Sequence, residues 1–326
     1  MHAQWTAITY DITVDTDGGS AVADQTYQIS GAAQTKIFTA PTYQTTFTVS
    51  YDTQGGSAAP SDQTSTKPFS SWSVTTQPNG GTATFSNTTL TIPANAYGDM
   101  AIKANWGAQP SIQLPAEPTK NGYTFNGWYT AASCGGTKAG DANATRTPDQ
   151  TRTLYACWEV VTYNITYTGN GGTLGGCTPT TYTVESSDIT PNCTSKTRTG
   201  YTFSSFSPAT IPAGSTGDKT ITAQWSAIPY TITLNVNGGT AVTNPADYTI
   251  NAATQTRTLS GTVYATDYTV SFDTEGGSAN PESIVSTRPF NGWSFTTNST
   301  PTSSVAGSTL TIASNAIGNI VLEAQW

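Results

Sequence analysis

Short stretches in which apolar and polar residues alternate recur along the chain, and several of them end in tryptophan. In residues 221–225, ITAQW, the isoleucine, alanine and tryptophan alternate with threonine and glutamine. A period of two residues is typical of a strand that buries one face. Similar endings close at Trp106 and Trp326, and a shorter one closes at Trp158. The pattern predicts repeated strands with a buried closing tryptophan.

A second kind of alternating strand runs into a pair of glycines four residues later. Five copies are present, and they begin at Tyr10, Phe47, Tyr163, Tyr230 and Tyr268. Glycine supplies the positive φ that tight turns require, so each copy predicts a strand followed by a turn. No long stretch has the 3.6-residue apolar period of a helix, and we expect little helix.

The two ends of the chain carry the same sequence pattern. Trp5 recurs as Trp225 and Trp106 recurs as Trp326, with a spacing of 220 residues in both cases. Residues 10–106 therefore recur as residues 230–326. One long repeat is followed by the first part of the next, and we expect the chain to be a window from a longer array.

The repeats predict five segments. These are residues 1–9 as the end of a preceding repeat plus a linker, 10–106 as a composite β repeat, 107–158 and 159–225 as β repeat modules, and 226–326 as a second copy of 10–106. Residues 107–158 have no opening strand or Gly-Gly pair of their own. We expect them to share a sheet with the preceding unit, which leaves the bound between these two segments open.

The tryptophans are predicted to form the cores of the modules, because they recur at fixed places in the strands. The predicted core residues are Trp72, Trp106, Trp128, Trp158, Trp225, Trp293 and Trp326. The alternative is an exposed aromatic surface for stacking on carbohydrate, built from the 8 tryptophans and 16 tyrosines. The core interpretation is favoured, and Tyr129 and Tyr155 are the better candidates for exposure.

Composition narrows the class of protein. Charged residues make up only 10% of the chain, compared with roughly 25% in an average soluble domain. A polar surface with few charges is common in secreted and cell-surface β-proteins. The net charge is −8 and the 12 lysines and arginines are scattered singly, so the basic stripe of a nucleic-acid-binding protein is missing.

The sequence contains no candidate membrane span or signal peptide. No run approaches the ~18 apolar residues that a span needs, and the first residues, MHAQW, do not have a signal-peptide pattern. We expect any export signal or anchor to lie outside this chain.

The four cysteines lie in the two middle modules and are candidates for disulfide bonds. Four cysteines allow three connectivities, and pairing within modules, Cys134 with Cys157 and Cys177 with Cys193, is the least strained. Each bridge would add about 3 kcal/mol by restricting the unfolded chain. Four free thiols are the alternative. A zinc site is disfavoured, because no C-x-x-C pair is present and His2 is the only histidine.

No arrangement of residues predicts catalysis, a cofactor or a metal site. Hydrolytic triads need a histidine, and His2 lies in the terminal overhang. The turn at residues 15–19, DTDGG, resembles part of a calcium loop, but no bidentate glutamate follows at a suitable spacing. A plain β-turn is the favoured interpretation, since aspartate and asparagine stabilise turns through local hydrogen bonds.

Three motifs occur together and resemble one known family. The first is residues 163–167 (YNITY) with Gly171-Gly172, the second is 197–203 (TRTGYTF), and the third is 211–218 (IPAGSTGD) with 222–225 (TAQW). This combination resembles the Listeria-Bacteroides repeat, also called the internalin B-repeat family of bacterial surface proteins. The resemblance implies small β-grasp-like modules that act as spacers in secreted or wall-attached proteins and sometimes contact a host or matrix. It brings no catalytic residues.

The sequence departs from the family's simple tandem pattern in one respect. The opening strand is duplicated, at Tyr10 and Phe47 and again at Tyr230 and Tyr268, before a single closing tryptophan. This duplication raises the possibility of a composite or intertwined module.

We therefore predict a mainly β protein in which tandem small β-grasp-like modules of antiparallel sheet form an elongated rod. The predicted function is a non-enzymatic stalk or spacer of an extracellular bacterial adhesin, and the main partners are neighbouring repeats of the same chain. Direct binding of a glycan, host protein or other cell-surface protein is one alternative. A subunit of a self-assembling extracellular fibre, formed through unprotected strand edges, is the other.

Overall fold

The chain is an all-β protein whose sheets are small. A computed structural model describes residues 1–277 and 282–326, and within these residues it contains 28 strands and no helix. The chain divides into two compact units, Met1–Val161 and Thr162–Trp326. The prediction of a mainly β chain of small modules is confirmed, whereas the β-grasp likeness and the rod stay predictions.

The first unit contains 14 strands. They are β1 Thr9–Asp15, β2 Gln25–Gln28, β3 Gln34–Ile37, β4 Thr46–Asp52, β5 Gln63–Thr66, β6 Phe69–Thr76, β7 Thr84–Ser86, β8 Thr89–Ile92, β9 Met100–Trp106, β10 Ile112–Gln113, β11 Tyr123–Ala131, β12 Gly135–Gly140, β13 Thr145–Arg146 and β14 Arg152–Val160.

The second unit contains the other 14. They are β15 Tyr163–Thr168, β16 Thr173–Thr178, β17 Thr181–Tyr182, β18 Asn192–Thr197, β19 Tyr201–Ser207, β20 Lys219–Ala227, β21 Ile232–Asn235, β22 Gln255–Thr258, β23 Tyr268–Val270, β24 Ile284–Ser286, β25 Trp293–Thr297, β26 Ser304–Ala306, β27 Thr309–Ile312 and β28 Ile320–Ala324.

Strand pairing groups these strands into four modules of one plan. Module I contains β1–β3 and β6–β9, module II β4, β5 and β10–β14, module III β15–β20, and module IV β21, β22 and β25–β28. The main sheets have the orders β2-β1-β9-β6, β5-β4-β14-β11-β12, β17-β15-β20-β19 and β21-β28-β25. In each module the opening strand, which runs into the Gly-Gly turn, therefore lies beside the closing strand.

Modules I and II are interlocked along the chain. Strands β4 and β5 lie in sequence between β3 and β6 of module I, yet β4 pairs with β14, with Val49 opposite Arg152 and Tyr51 opposite Leu154. The chain thus enters module I, builds the first hairpin of module II, returns to finish module I, and then completes module II. This pairing crosses the predicted bound between residues 106 and 107, and the predicted domain bounds stay predictions.

The opening and closing strands of each module pair in parallel. In module I, Ile12 lies opposite Met100 and Val14 opposite Ile102, and the equivalent pairs β4–β14, β15–β20 and β21–β28 have the same direction. The remaining pairs are antiparallel, as predicted. Apolar alternation has the same period in both directions, so it could not show that the opening and closing strands run in parallel.

Each module has a hydrophobic core of its own. In module I, Ile12, Leu90, Ile92 and Ile102 are fully buried, and in module II the equivalent cluster is formed around Val49, Trp128 and Leu154. The two clusters share no residue although their strands alternate along the chain. Interlocking therefore joins the modules through the backbone and leaves their cores separate.

Candidate functional site

Each module is closed by a contact between its last tryptophan and the Gly-Gly turn of its opening strand. The indole lies against the second glycine of the pair, so that little space remains at its Cα. The four pairs are Trp106 with Gly19, Trp158 with Gly56, Trp225 with Gly172, and Trp326 with Gly239. We call this feature the tryptophan–glycine contact.

The contact requires glycine for reasons of space. A Cβ added to Gly19, Gly56 or Gly239 would lie 2.5, 2.7 or 2.6 Å from Cζ2 of the facing tryptophan, and one added to Gly172 would come closer still. Carbon atoms in van der Waals contact are about 3.5–4.0 Å apart. Any side chain at these positions would therefore displace the ring.

A hydrogen bond fixes the position of the ring. The Nε1 of the tryptophan donates to a carbonyl of the same turn, at 3.2 Å from Trp106 to Asp17, 2.8 Å from Trp158 to Thr53, 2.8 Å from Trp225 to Gly169, and 2.9 Å from Trp326 to Asn237. A partly buried indole N–H thus has its partner in all four modules. The Gly-Gly turn and the closing tryptophan, which sequence analysis treated as separate motifs, form one structural site.

The acidic residues of these turns stabilise the turn by accepting hydrogen bonds from its backbone. Oδ1 of Asp15 accepts a hydrogen bond from the backbone N of Asp17 at 2.9 Å, and Oδ1 of Asp52 does the same for Gln54 at 2.8 Å. Lys103 lies 3.1 Å from Asp17 and 3.8 Å from Asp15. Among residues 1–277 and 282–326, no group of three or more His, Cys, Asp or Glu side chains could hold a metal ion. The aspartates therefore have a turn-forming role that local hydrogen bonding explains.

A line of three aromatic rings connects the contact to the core of each module. In module II, Phe125 lies 5.4 Å from Trp128 and 5.6 Å from Trp158, measured between ring centroids. The same arrangement is formed by Phe69, Trp72 and Trp106, by Phe203, Phe206 and Trp225, and by Phe290, Trp293 and Trp326. Edge-on pairs at these distances contribute roughly 0.5–1.5 kcal/mol beyond area burial.

The predicted core tryptophans fall into two classes. Trp72, Trp128 and Trp293 are buried, with 3, 0 and 6% of their surface exposed. The closing tryptophans, at positions 106, 158, 225 and 326, are half-buried, and each ring covers the Gly-Gly turn of its module. Tyr129 and Tyr155, expected to be exposed, lie opposite each other in β11 and β14 and are also half-buried.

The four cysteines lie in two pairs, each within one module. Cys134 is joined to Cys157 in module II, and Cys177 to Cys193 in module III. The second pair connects directly opposed residues of β16 and β18. The loops closed are 23 and 16 residues long, for which chain entropy gives about 3 kcal/mol per bridge. A count of alkylatable thiols under denaturing, non-reducing conditions remains the chemical test.

A repeated tyrosine contact was not predicted from the sequence. The hydroxyl of Tyr27 donates to the carbonyl of Gly98 at 2.6 Å, and Tyr182 and Tyr248 make the same bond to Gly217 and Gly318. Burial raises the pKa of all three tyrosines. The spacing between each tyrosine and its glycine is long, so the pairing follows from tertiary structure, and only the recurrence of a tyrosine after the opening strand of modules I, III and IV signals it.

The cations around one surface cavity stack on aromatic rings. A cavity of about 620 Å³ in module III is lined by residues 171–173, 196–199 and 201–203. The guanidinium of Arg198 lies 3.9 Å from the ring centroid of Tyr201, and Nζ of Lys196 lies 5.3 Å from that of Phe203. Such cation–π contacts stabilise by about 0.5–1 kcal/mol at exposed sites. These side chains support the sheet beside the tryptophan–glycine contact.

Tyr51 is the one tyrosine for which we predict a gain of stability on losing its hydroxyl. Its ring packs on Trp128 with 6% of the residue exposed, and its buried hydroxyl has no hydrogen-bond partner among the described residues. Tyr51→Phe should therefore raise the free energy of unfolding at pH 7 by about 1 kcal/mol. Phenylalanine already stands at the equivalent position of the second copy, Phe272. Tyr167→Phe is the matched control, since that hydroxyl donates to Pro179 at 3.0 Å, and it should destabilise.

The same substitution should change the response to alkaline pH. Burial, and to a lesser extent Asp62, raises the pKa of Tyr51 from 10.0 to about 12. Tyr51 ionises near pH 10 in the unfolded chain but only near pH 12 in the folded chain. The free energy of unfolding therefore falls progressively between these two pH values. Denaturant unfolding at pH 7 and pH 11 should show a larger advantage of the phenylalanine variant at pH 11. An equal advantage at both pH values would contradict this assignment.

Comparison with known proteins finds a family model that matches two parts of the chain. Residues 47–157 and 163–205 match the model of the Listeria-Bacteroides repeat domain. The first range begins in β4 and ends in β14, so it starts and finishes in the two paired strands of module II. Within the part of the chain that the structure describes, there is no helix long and apolar enough to cross a membrane.

Three curated proteins are similar to part of the chain. A putative Gly-rich membrane protein of Evansella cellulosilytica is 28% identical over 167 residues, 47% of this chain and 18% of that protein. Internalin H of Listeria monocytogenes is 33% identical over 129 residues, 40% of this chain and 22% of internalin H. A putative membrane protein of Evansella cellulosilytica is 27% identical over 143 residues, 40% of this chain and 20% of that protein. The matched parts are thus about a fifth of these relatives. No solved structure matches the chain.

Proposed function

We propose that this chain, whose residues 47–157 and 163–205 match the model of the Listeria-Bacteroides repeat domain, belongs to that family and is a structural spacer of a bacterial cell-surface protein. The role is mechanical: the modules hold a distal part of the protein away from the cell. The observation that carries the proposal is the repetition of one module plan four times in tandem, closed each time by the same tryptophan–glycine contact.

A surface location is supported by the names of the relatives and by the composition. One relative is an internalin and two are named as membrane proteins. The low fraction of charged residues, 10%, and the two intramodular disulfide pairs are typical of extracellular proteins. A structural role also accounts for the polar side chains around the contact, which hold turns and rings in place.

Two features would make such a spacer resist bending and unfolding. Modules I and II share their chain through the inserted hairpin β4–β5. Modules III and IV touch at Gly200, where an added Cβ would lie 2.9 Å from Cδ1 of Ile250, and the N of Ile228 donates to the carbonyl of Gly200 at 3.0 Å. Short connections and shared surfaces of this kind make the stability of repeat proteins depend on their neighbours.

Small-angle scattering tests the proposal. A compact globule of 326 residues would have a radius of gyration of about 20 Å. We expect a clearly larger radius of gyration and the scattering profile of a rod. A variant in which residues 107–326 are repeated once more is the matched comparison. In a spacer the maximum dimension should grow by the length of one repeat at constant cross-section, whereas growth in all directions would contradict the proposal.

A further inference from the structure

The hairpin β23–β24 is the second copy of the hairpin β4–β5. Tyr268, Val270 and Phe272 repeat the alternation of residues 47–51, and both strands run into a Gly-Gly turn. The turns also have the same geometry. Oδ1 of Asp273 accepts from the backbone N of Glu275 at 2.9 Å, and Glu275 has a φ of 49°, compared with 50° for Gln54.

The surroundings of the two hairpins differ. Val49 and Tyr51 are 1 and 6% exposed in module II, whereas Val270 and Phe272 are 55 and 41% exposed. Strand β4 lies between β5 and β14, but β23 pairs, among the described residues, only with β24. The hairpin β23–β24 thus has the apolar sequence pattern of a buried hairpin, but no hydrophobic core covers it among the described residues.

One exposed face of the hairpin is apolar. On this face Tyr268, Val270 and Ile284 are between 52 and 60% exposed, and Ile284 lies directly opposite Val270 in the pair. An uncovered strand edge beside apolar side chains is a template for pairing with another strand. Soluble proteins cover such strand edges, and a further strand could pair with β23 at this surface.

Internal repetition identifies the chemistry of that strand. In module II the same hairpin is covered by residues 107–160: the segment 152–155 of β14 pairs with β4, Trp128 packs on Tyr51 at 5.1 Å, and Trp158 covers Gly56. At the equivalent Gly277, the two atoms of the described residues that would lie within 4 Å of an added Cβ both belong to Thr274, and neither is a ring atom. The place taken by Trp158 in module II is therefore open to an incoming tryptophan.

We propose that the hairpin β23–β24 is an acceptor for a chain segment with the sequence pattern of residues 107–160, which adds a parallel strand to β23 and completes a fifth module. The acceptor recognises three features of that segment: a strand like β14 for the backbone of β23, a buried ring like Trp128 for Phe272, and a closing tryptophan for Gly277. Binding is β-strand addition, in which main-chain hydrogen bonds give affinity and the alternate side chains give specificity.

The path of the chain makes the proposed segment continuous with module IV. Trp326 has the same place in module IV that Trp106 has in module I, and each lies on the second glycine of its turn. Residues 107–160 leave module I directly after Trp106. A segment of the same type joined to Trp326 would therefore start at the equivalent point relative to its hairpin and need no additional linker.

The test joins residues 107–160 to Trp326 of the full chain and measures amide hydrogen exchange at residues 268–272. In the original chain these amides should exchange rapidly. In the extended chain, we expect their protection to rise by roughly 100-fold or more, toward that of residues 47–51, since they would enter a packed core strand. Exchange that stays unchanged in the extended chain would overturn the proposal.

Two further variants make the result specific. Extension by residues 162–227, a module with its own opening strand, should leave residues 268–272 unprotected. The extended chain with Val270→Asp should lose protection at residues 268–272 but keep it in β28, which shows that module IV is folded. The proposal would also be overturned if extension by residues 107–160 and extension by residues 162–227 protected residues 268–272 equally. Protection of these residues in the original chain through self-association at the same concentration would overturn it as well.

Discussion

Replacement of Val49 by aspartate is expected to unfold module II while module I stays folded. Val49 is 1% exposed and belongs to the core that contains Trp128 and Leu154. A carboxylate at this position would be buried without a partner, and we expect a loss of at least about 4 kcal/mol, more than a small module can absorb. Amide exchange should become rapid in β14 and stay slow in β9, although Val49 lies in sequence within module I.

The second copy provides the matched control for this substitution. Val270 is equivalent to Val49 but is 55% exposed, so Val270→Asp in the 326-residue chain should change stability by no more than about 0.5 kcal/mol. If Val49→Asp unfolded module I instead of module II, or if both substitutions had the same small effect, the assignment of β4 to module II would be wrong.

Replacement of Gly19 by alanine should destabilise module I by about 3 kcal/mol. The added Cβ would meet Cζ2 of Trp106 at 2.5 Å and Cβ of Pro41 at 3.1 Å, and the ring cannot withdraw without losing its hydrogen bond to Asp17. Overpacking of this kind costs about 1–3 kcal/mol or somewhat more. Chemical denaturation, followed by the fluorescence of the tryptophans, measures the change.

Gly31→Ala is the control for the glycine substitution. Gly31 is an exposed glycine of the same module, and an added Cβ would have no atom within 4 Å. Alanine there should be neutral or stabilise slightly by restricting the unfolded chain. Equal effects at Gly19 and Gly31 would show that the loss comes from the backbone of glycine and not from the tryptophan–glycine contact.

Much of the local structure could be predicted from the sequence. Alternation located the strands β9, β20 and β28, and the Gly-Gly pairs located the turns, because both signals depend on neighbouring residues. The cysteines of modules II and III also lie in the pairs that short loops favour.

The contacts between distant residues could not be predicted in the same way. A tryptophan and the Gly-Gly turn it covers are 87 to 102 residues apart in modules I, II and IV, and nothing in the local pattern connects Trp106 with Gly19. Alternation also carries no information on strand direction, so the parallel pair of Ile12 and Met100 was missed. The sequence signals of interlocking were the duplicated opening strand at Phe47 and the absence of an opening strand in residues 107–158. The pairing of β4 with β14 explains both.

The repeated Gly-Gly pair and closing tryptophan are therefore two halves of one structural requirement. The turn places its carbonyl for the indole N–H, and the absence of a Cβ makes room for the ring. Since the opening and closing strands are adjacent and parallel, the contact holds the first and last parts of a module together. In the proposed spacer, tension applied along the chain would act on these two strands.

Interlocking of modules I and II is tested most directly by cutting the chain between them. A site for a specific protease, inserted after Gln109 in the connection between β9 and β10, would divide the chain into two fragments. Because β4 and β5 of the first fragment lie in the sheet of β14 in the second, the fragments should elute together in native size-exclusion chromatography and separate only in denaturant. The cut chain with Val49→Asp should release them. Separation of the fragments of the unsubstituted chain under native conditions would contradict the interlocked arrangement.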